Sequence, residues 1–210
     1  MTALILVDIQ NDFLPGGALP VKEGDQIIPL ANKLLNHQFD LKIATKDWHP
    51  TDHGSFAVNH GKKPGDIIPL AGIPQILWPV HCVQKTAGAE FPDNLEIEKI
   101  HHIIYKGTDK MIDSYSTFFD NDLKKSTGLD KFLSSKNIHS VYIAGLATDY
   151  CVLFSVLDAL KLGFKTYVIA DACRGIDLCR GDVERSFETM KDAGAILTTS
   201  NDILKEFRHR

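Results

Sequence analysis

The sequence predicts an α/β fold: a doubly wound, mainly parallel six-stranded sheet with helices on both faces, in a Rossmann-like three-layer arrangement. Three observations predict it. Short apolar, β-branched runs alternate with stretches of helical periodicity, the order that builds parallel sheets through right-handed crossovers. The runs are nearly continuous in apolar residues, as strands buried on both faces require. With 210 residues and 44% hydrophobic content, the chain closes one sizeable core, so residues 1–210 read as a single domain.

The expected strands are Ala3–Val7, Leu41–Thr45, His102–Tyr105, Val141–Ala144, Thr166–Ala170 and Ala195–Thr198. The expected helices lie near Asp25–Gln38, Leu129–Lys136, Asp149–Leu162 and Asp182–Ala193. Gly163 and Gly194 suit the left-handed position that ends two of these helices. Asp149 and Asp182 stand near helix starts, where a carboxylate meets unpaired amides. Residues 50 to 99 break the rhythm: six prolines and several glycines fall there without a periodic element. A long irregular insertion of this kind is usually functional or disordered. It carries Phe56, Trp78, Phe91 and several isoleucines, so it reads as ordered and packed over the sheet, as a lid would be.

Composition excludes several classes. The net charge is −4 and no basic cluster is visible, so nucleic acid is not an expected partner. The short basic run Arg208–Arg210 reads as a solvated helix end. The N-terminus lacks a charged leading region and a small-residue cleavage site, and no apolar run approaches the ~20 residues of a membrane span. Cys82, Cys151, Cys173 and Cys179 form no C-x-x-C pair, and a chain of this size needs no disulfide staples. A reducing, cytoplasmic setting follows, and at least one thiol is free for chemistry. Whether the chain forms a homo-oligomer stays open.

The polar residues that follow the strands point to a site. Asp8 follows the first strand; Lys46, Asp47, Trp48 and His49 the second; Lys106 the third; and Gly145-Leu146-Ala147-Thr148-Asp149-Tyr150-Cys151 the fourth. Ligands of open parallel sheets bind outside these carboxyl ends, where strand order reverses. Cys151 opens a helix after a glycine turn, where free amides and the dipole favour a thiolate and hold an oxyanion. It is the expected nucleophile, while Cys173 and Cys179 read as structural. Asp8, at the end of a buried strand, either caps a helix or forms a turn with Asn11 and Asp12, or acts as a general base. Lys106 could pair with it across adjacent strand ends, although Lys106-Gly107 opening a loop would by itself place that lysine at the surface.

Asp47-x-His49 has metal-ligand character, since residues i and i+2 of an extended segment point the same way. His53, His60 and His81 are further candidates. Cys82 is rejected, because adjacent extended residues point apart. Mixed oxygen and nitrogen donors admit zinc, iron or manganese.

Taken in order, Asp8-Ile9-Gln10-Asn11-Asp12-Phe13, Asp47-Trp48-His49-Pro50, Trp78-Pro79-Val80-His81-Cys82, Lys106-Gly107 and Gly145-Leu146-Ala147-Thr148-Asp149-Tyr150-Cys151-Val152 resemble the nicotinamidases and pyrazinamidases of the isochorismatase-like cysteine hydrolases. The resemblance spans nearly the whole chain, and the Asp-Trp-His-Pro and Trp-Pro-x-His-Cys motifs mark the metal-bearing branch. It implies a catalytic triad of Asp8, Lys106 and Cys151, and one divalent metal ion, zinc first, held by Asp47, His49 and His81. It places His53 behind those ligands, at a position that binds the metal in some relatives only. It implies a cis peptide at Leu146–Ala147 that aims the Ala147 and Cys151 amides at an oxyanion. Phe13, Trp78, Tyr115 and Tyr150 match aromatic positions around a pyridine ring; Tyr150 departs from relatives with histidine there. The implied reaction is hydrolysis of nicotinamide to nicotinate and ammonia, as a step of NAD salvage, with pyrazinamide as a further substrate.

The alternatives are another small-amide or ureido hydrolase of the same superfamily, a nucleotide-binding oxidoreductase and a non-catalytic metal-binding scaffold. Isochorismatase chemistry itself uses neither the thiol nor the metal motif. The oxidoreductase requires a G-x-G-x-x-G turn after the first strand, and Asp8-Ile9-Gln10-Asn11 is not one.

Overall fold

The first strand, β1 (Thr2–Val7), sets the layers of the molecule. Its alternate residues feed two separate cores: Leu4 and Leu6 point into one, Ala3, Ile5 and Val7 into the other. A strand apolar on both faces can sit only in the middle of a covered sheet. The computed structural model describes residues 1–206, and in it β1 pairs in parallel with β2 (Leu41–Asp47) on one side and β6 (Ser140–Leu146) on the other. Beyond these lie β5 (His102–Lys106), β7 (Lys165–Arg174) and β8 (Ile196–Thr198). The six strands run in the order β5-β2-β1-β6-β7-β8, and every pairing is parallel.

Helix α1 (Ile28–Leu35) and helix α5 (Ser200–Glu206) cover the Leu4–Leu6 face through Ile28, Ala31, Leu34, Leu35 and Ile203. Helices α2 (Leu129–Ser135), α3 (Leu153–Lys161) and α4 (Asp182–Asp192) cover the other through Leu129, Leu133, Val156, Ala159 and Met190. Gly163 and Gly194 adopt φ of +86° and +105° after α3 and α4, the conformation that ends a helix without steric cost. Among the described residues no helix is long and apolar enough to cross a membrane. The Arg208–Arg210 run lies outside the described residues.

Two expectations are corrected. The insertion at 50–99 is not wholly irregular: β3 (Ile67–Leu70) and β4 (Ile73–Ile76) form an antiparallel hairpin. Pro69 and Pro74 face each other in it. Proline removes a ladder donor and so argues against a strand, but in a two-stranded ribbon every strand is an edge. The turn residues Ala71 and Gly72 both have positive φ, +50° and +83°, as the tightest hairpins require. Nor do Asp149 and Asp182 cap helices with their side chains. The Asp149 carboxylate instead accepts the amides of Ile176 and Asp177 at 2.9 and 2.7 Å, and Asp182 Oδ2 accepts that of Cys179 at 2.8 Å.

Strand order reverses between β1 and β6. The register there aligns Val7 with Gly145. A Cβ on Gly145 would fall 2.1 Å from the Val7 carbonyl oxygen, so glycine lets the two strand ends close together. The residues next in the chain, Asp8 and Leu146, are thereby placed side by side at the crevice.

Candidate active site

Asp8 leaves β1 with a left-handed φ of +48°, uncommon outside glycine but tolerated by Asp and Asn. Thr45 on the neighbouring strand holds it: Thr45 Oγ1 donates to Asp8 Oδ1 at 2.5 Å and accepts the Asp8 amide at 3.1 Å. Lys106 ends β5 directly opposite Asp47, which ends β2. Its ammonium donates to Asp47 Oδ1 at 2.5 Å, to the Ser114 carbonyl at 2.9 Å and to Cys151 Sγ at 3.3 Å, and lies 2.8 Å from Asp8 Oδ2. The side chains of Lys106 and Asp8 are wholly buried, so the lysine is not the surface residue that the start of a loop suggested. Register places it, not loop chemistry. The carboxylates of Asp8 and Asp47 and the Cys151 sulfur all lie within 4.8 Å of one another.

Cys151 sits in a single wide π-turn, Thr148–Val152, that feeds α3. Ser155 Oγ donates to the Cys151 carbonyl at 2.5 Å and accepts the Thr117 amide at 2.9 Å, tying this turn to the loop after Lys106. The bond before the turn, Leu146–Ala147, is cis. The helix-start argument for a lowered thiol pKa is corrected by the surroundings. Burial pushes the Cys151 thiol well up, Lys106 opposes this, and Asp8 and Asp47 reinforce it. Burial likewise raises Asp8, against the pull of Lys106. Burial alone would raise Asp47 too, but the Lys106 ammonium and His49 beside it hold it well below the usual carboxylate range. Lys106 is pushed well up, because Asp47 and Asp8 outweigh its desolvation. The surroundings thus favour the neutral thiol, and one ammonium is shared between Asp8 and Asp47.

Next to it stands a donor set for a metal ion. Asp47 Oδ2 lies 3.5 Å from His49 Nε2 and 3.8 Å from His81 Nε2. His49 Nδ1 donates to the Gly107 carbonyl and His81 Nδ1 to the Pro79 carbonyl, each at 2.8 Å. In the neutral ring those bonds put the proton on Nδ1 and leave Nε2 with a free lone pair, the arrangement that orients metal-binding imidazoles. His49 Nε2 is fully buried and has no hydrogen-bond partner among the described residues. An orphaned acceptor of this kind beside a carboxylate fits a divalent cation. Gln10 braces the set: it donates to the Asp47 carbonyl at 2.8 Å and accepts the Asp47 amide at 2.8 Å.

His53 packs on His49 with ring centres 4.1 Å apart. Its Nδ1 lies 2.7 Å from Ser55 Oγ and 3.2 Å from the Ser55 amide nitrogen, and its buried Nε2 has no hydrogen-bond partner among the described residues. Burial and the neighbouring His49 depress its pKa to about 4. His60 lies apart from this cluster, its Nε2 donating to the Gly54 carbonyl at 2.8 Å. Cys82 is buried in the α1-side core.

Gly107 is critical to the imidazole shelf. Its φ is +61°, and a Cβ there would fall 2.4 Å from His49 Cε1. Gly107→Ala is expected to swing His49 off its carbonyl and weaken metal binding by at least ~10-fold, the usual cost of losing an outer partner. Metal-to-protein ratio after dialysis against a graded chelator measures it; wild-type retention would refute the role of this glycine.

Cys151, Ala147 and Asp47 open on a small pocket walled by Phe13, Trp78, Tyr115, Tyr150 and His81. Leu19, Asp113 and Ile176 complete it. Sequence reasoning missed these three, together with the bracing residues Thr45 and Gln10. Gln10 lies inside the first motif and Thr45 two residues before Asp47, and that placement was the one signal for their roles. Asp113 and Ile176 lie in aperiodic loops and had none.

The isochorismatase domain matches residues 2–202. The nicotinamidase of Escherichia coli (strain K12) is 47% identical over 203 residues, covering 95% of each chain. Among solved structures, a nicotinamidase/pyrazinamidase of Acinetobacter baumanii matches with a TM-score of 0.92 at 47% identity, covering 96% of this chain and 97% of that one. The pyrazinamidase of Pyrococcus horikoshii in complex with zinc matches with a TM-score of 0.75 at 41% identity, covering 94% of this chain and 98% of that one.

Proposed function

The chain belongs to the isochorismatase family, and from that premise we propose how its site works as a nicotinamidase. The enzyme hydrolyses nicotinamide to nicotinate and ammonia, a reaction consistent with NAD salvage, and its relatives extend the chemistry to pyrazinamide. One observation carries the assignment of roles: a single buried ammonium, that of Lys106, touches the Cys151 sulfur and Asp47 and pairs with Asp8.

Asp8 is the general base. Its raised pKa makes it a better proton acceptor than an ordinary carboxylate. It takes the Cys151 proton, and Lys106, 3.3 Å from the sulfur, then faces a thiolate in place of a carboxylate. Net charge in the sealed cluster does not change during this transfer, so no new charge has to be buried. The thiolate attacks the carboxamide carbon. The amides of Ala147 and Cys151 receive the oxyanion. Asp8 returns the proton to the leaving nitrogen, ammonia departs, and a thioester remains. Asp8 then deprotonates a water that cleaves the thioester, releasing nicotinate and restoring the thiol.

Asp47, His49 and His81 would hold the divalent ion, for which we propose zinc, with iron or manganese accepted by the same donors. Bound there, it would supply a Lewis acid and a template for the pyridine nitrogen. The zinc complex of the Pyrococcus horikoshii pyrazinamidase supports this, and the packing of the His53 ring on that of His49 supports its place behind the ligands. Phe13, Trp78, Tyr115 and Tyr150 wall the ring. The whole chain is read as one hydrolase domain, and its four free cysteines support a cytoplasmic setting.

The test is ammonia release from nicotinamide by purified, metal-replete, reduced protein, with pyrazinamide and a panel of small amides and ureides alongside. Silence on nicotinamide would overturn the reading. His81→Ala should lose metal by more than the ~10–100-fold that removal of an outer partner costs, with KM rising in step; undiminished metal content would remove His81 from the ligand set.

A further inference from the structure

The hairpin in the insertion carries a buried polar side chain that the chemistry above does not use. Gln75 lies on β4 between exposed Pro74 and half-buried Ile76, yet it is only 1% exposed itself. Burying a primary amide is costly unless its bonds are met. Gln75 Nε2 donates one hydrogen to the Ile76 carbonyl at 2.7 Å and shares the other between Tyr115 Oη at 2.9 Å and Asp113 Oδ2 at 3.2 Å, while Oε1 accepts from Asn121 Nδ2 at 3.4 Å. A carbonyl and a carboxylate can only accept, so the NH₂ end must face them and the amide orientation is fixed.

The consequence falls on Tyr115. Its oxygen also accepts the Trp78 indole N–H at 3.1 Å, and an indole can only donate. Two donors thus occupy the phenol oxygen. The one function left to that hydroxyl is to donate its own hydrogen, from a ring that lines the pocket beside Cys151. Asn121, the partner of Gln75 Oε1, also accepts the Tyr115 amide at 2.9 Å. Gln75 therefore fixes both the polarity of the Tyr115 hydroxyl and the position of Asp113, which lines the same pocket.

We propose that Gln75 is a specificity-determining positioning residue, which acts from the hairpin through Tyr115 to present a hydrogen-bond donor to an acceptor atom of the bound pyridine carboxamide or carboxylate. This rests on the nicotinamidase reading. Gln75 touches no reacting atom, so its loss should weaken ligand binding and leave the chemical step alone.

The experiment compares metal-loaded wild type, Gln75→Leu, Gln75→Glu, Tyr115→Phe and the Gln75→Leu/Tyr115→Phe pair. Both Gln75 variants should raise KM for nicotinamide by about 10-fold or more, while kcat changes by less than about threefold and metal content stays at the wild-type ratio. Nicotinate binding, read without turnover by tryptophan fluorescence, should weaken in parallel. Gln75→Glu keeps the size and the bond to Asn121 but has no donor, so it separates the missing donor from a collapsed hairpin. With Tyr115 already changed to Phe, Gln75→Leu should add less than about threefold, because the route it acts through is gone. A wild-type KM in either variant, a fall in kcat at unchanged KM, or full additivity in the pair would overturn the proposal. If wild type itself releases no ammonia, the nicotinamidase reading fails instead.

Discussion

Cys151→Ala is expected to abolish nicotinamide turnover, lowering kcat by at least ~10⁴-fold, while the protein still folds, holds its metal and binds nicotinate. The expectation follows from how little else the thiol does. Its sulfur accepts from Lys106 and lines the pocket, whereas the turn around it is held by Ser155 and Thr117 through the main chain. Removing the sulfur leaves a small gap and an intact shelf. Steady-state ammonia release, metal analysis and a nicotinate titration together check it. Residual activity within ~100-fold of wild type would mean that a water attacks the amide directly and that the thiol is not the nucleophile. A chemical version of the experiment uses alkylation slowed by nicotinate. Cys179 is the exposed cysteine, while Cys82, Cys151 and Cys173 are buried, so a Cys179→Ser background keeps the readout clean.

Lys106→Met is expected to be the more damaging change to the protein as a whole. The ammonium is the shared counter-charge of Asp8 and Asp47. Removing one partner from a buried ionic cluster costs about 3–5 kcal/mol, because the charges left behind stay desolvated. For a chain of this size each kcal/mol shifts Tm by about 2–4 °C, so a drop of about 6–20 °C is expected by calorimetry. Turnover should fall by ~10³-fold or more, since neither the base nor the thiolate keeps its partner. The pH dependence has a definite sign. Without the lysine, the folded-state pKa of Asp8, already raised by burial, moves further above its unfolded value. A group shifted that way favours the fold below its unfolded pKa and loses that contribution as pH rises through the folded pKa. The deficit in Tm should therefore be smaller near pH 5 than near pH 8. An unchanged Tm, or a deficit that grows on acidification, would refute the shared-charge account.

Much of this architecture was legible in the residues because burial on both faces leaves a plain mark. Ala3–Val7 and Val141–Ala144 are apolar throughout, and strands of that kind have one home, the centre of a covered parallel sheet. Once the strands were placed, the polar residues at their carboxyl ends could be gathered on one edge without reference to any contact. What stayed hidden depended on register and on aperiodic chain. Lys106 followed by Gly107 has the local character of an exposed loop, and only its alignment with Asp47 across β2 and β5 buries it. The Pro69–Pro74 hairpin contradicts strand propensity at two positions. Its buried polar residue, Gln75, has no apolar pattern to announce it. The thiol environment was misjudged for a related reason: a helix start can be seen in a sequence, but the desolvation around it cannot. Short helix α5 and the loop residues Asp113 and Ile176 left too little periodicity to detect.

The double duty of Lys106 also bears on how such a site could decay. A lineage released from selection for activity could not drop the lysine first, because two acids would be stranded in the interior and the molecule would pay in stability before it gained anything. It would have to neutralise both acids in the same step. The gentler first loss is the uncharged sulfur, so a silenced descendant would be expected to keep its lysine and its acids long after the cysteine has drifted.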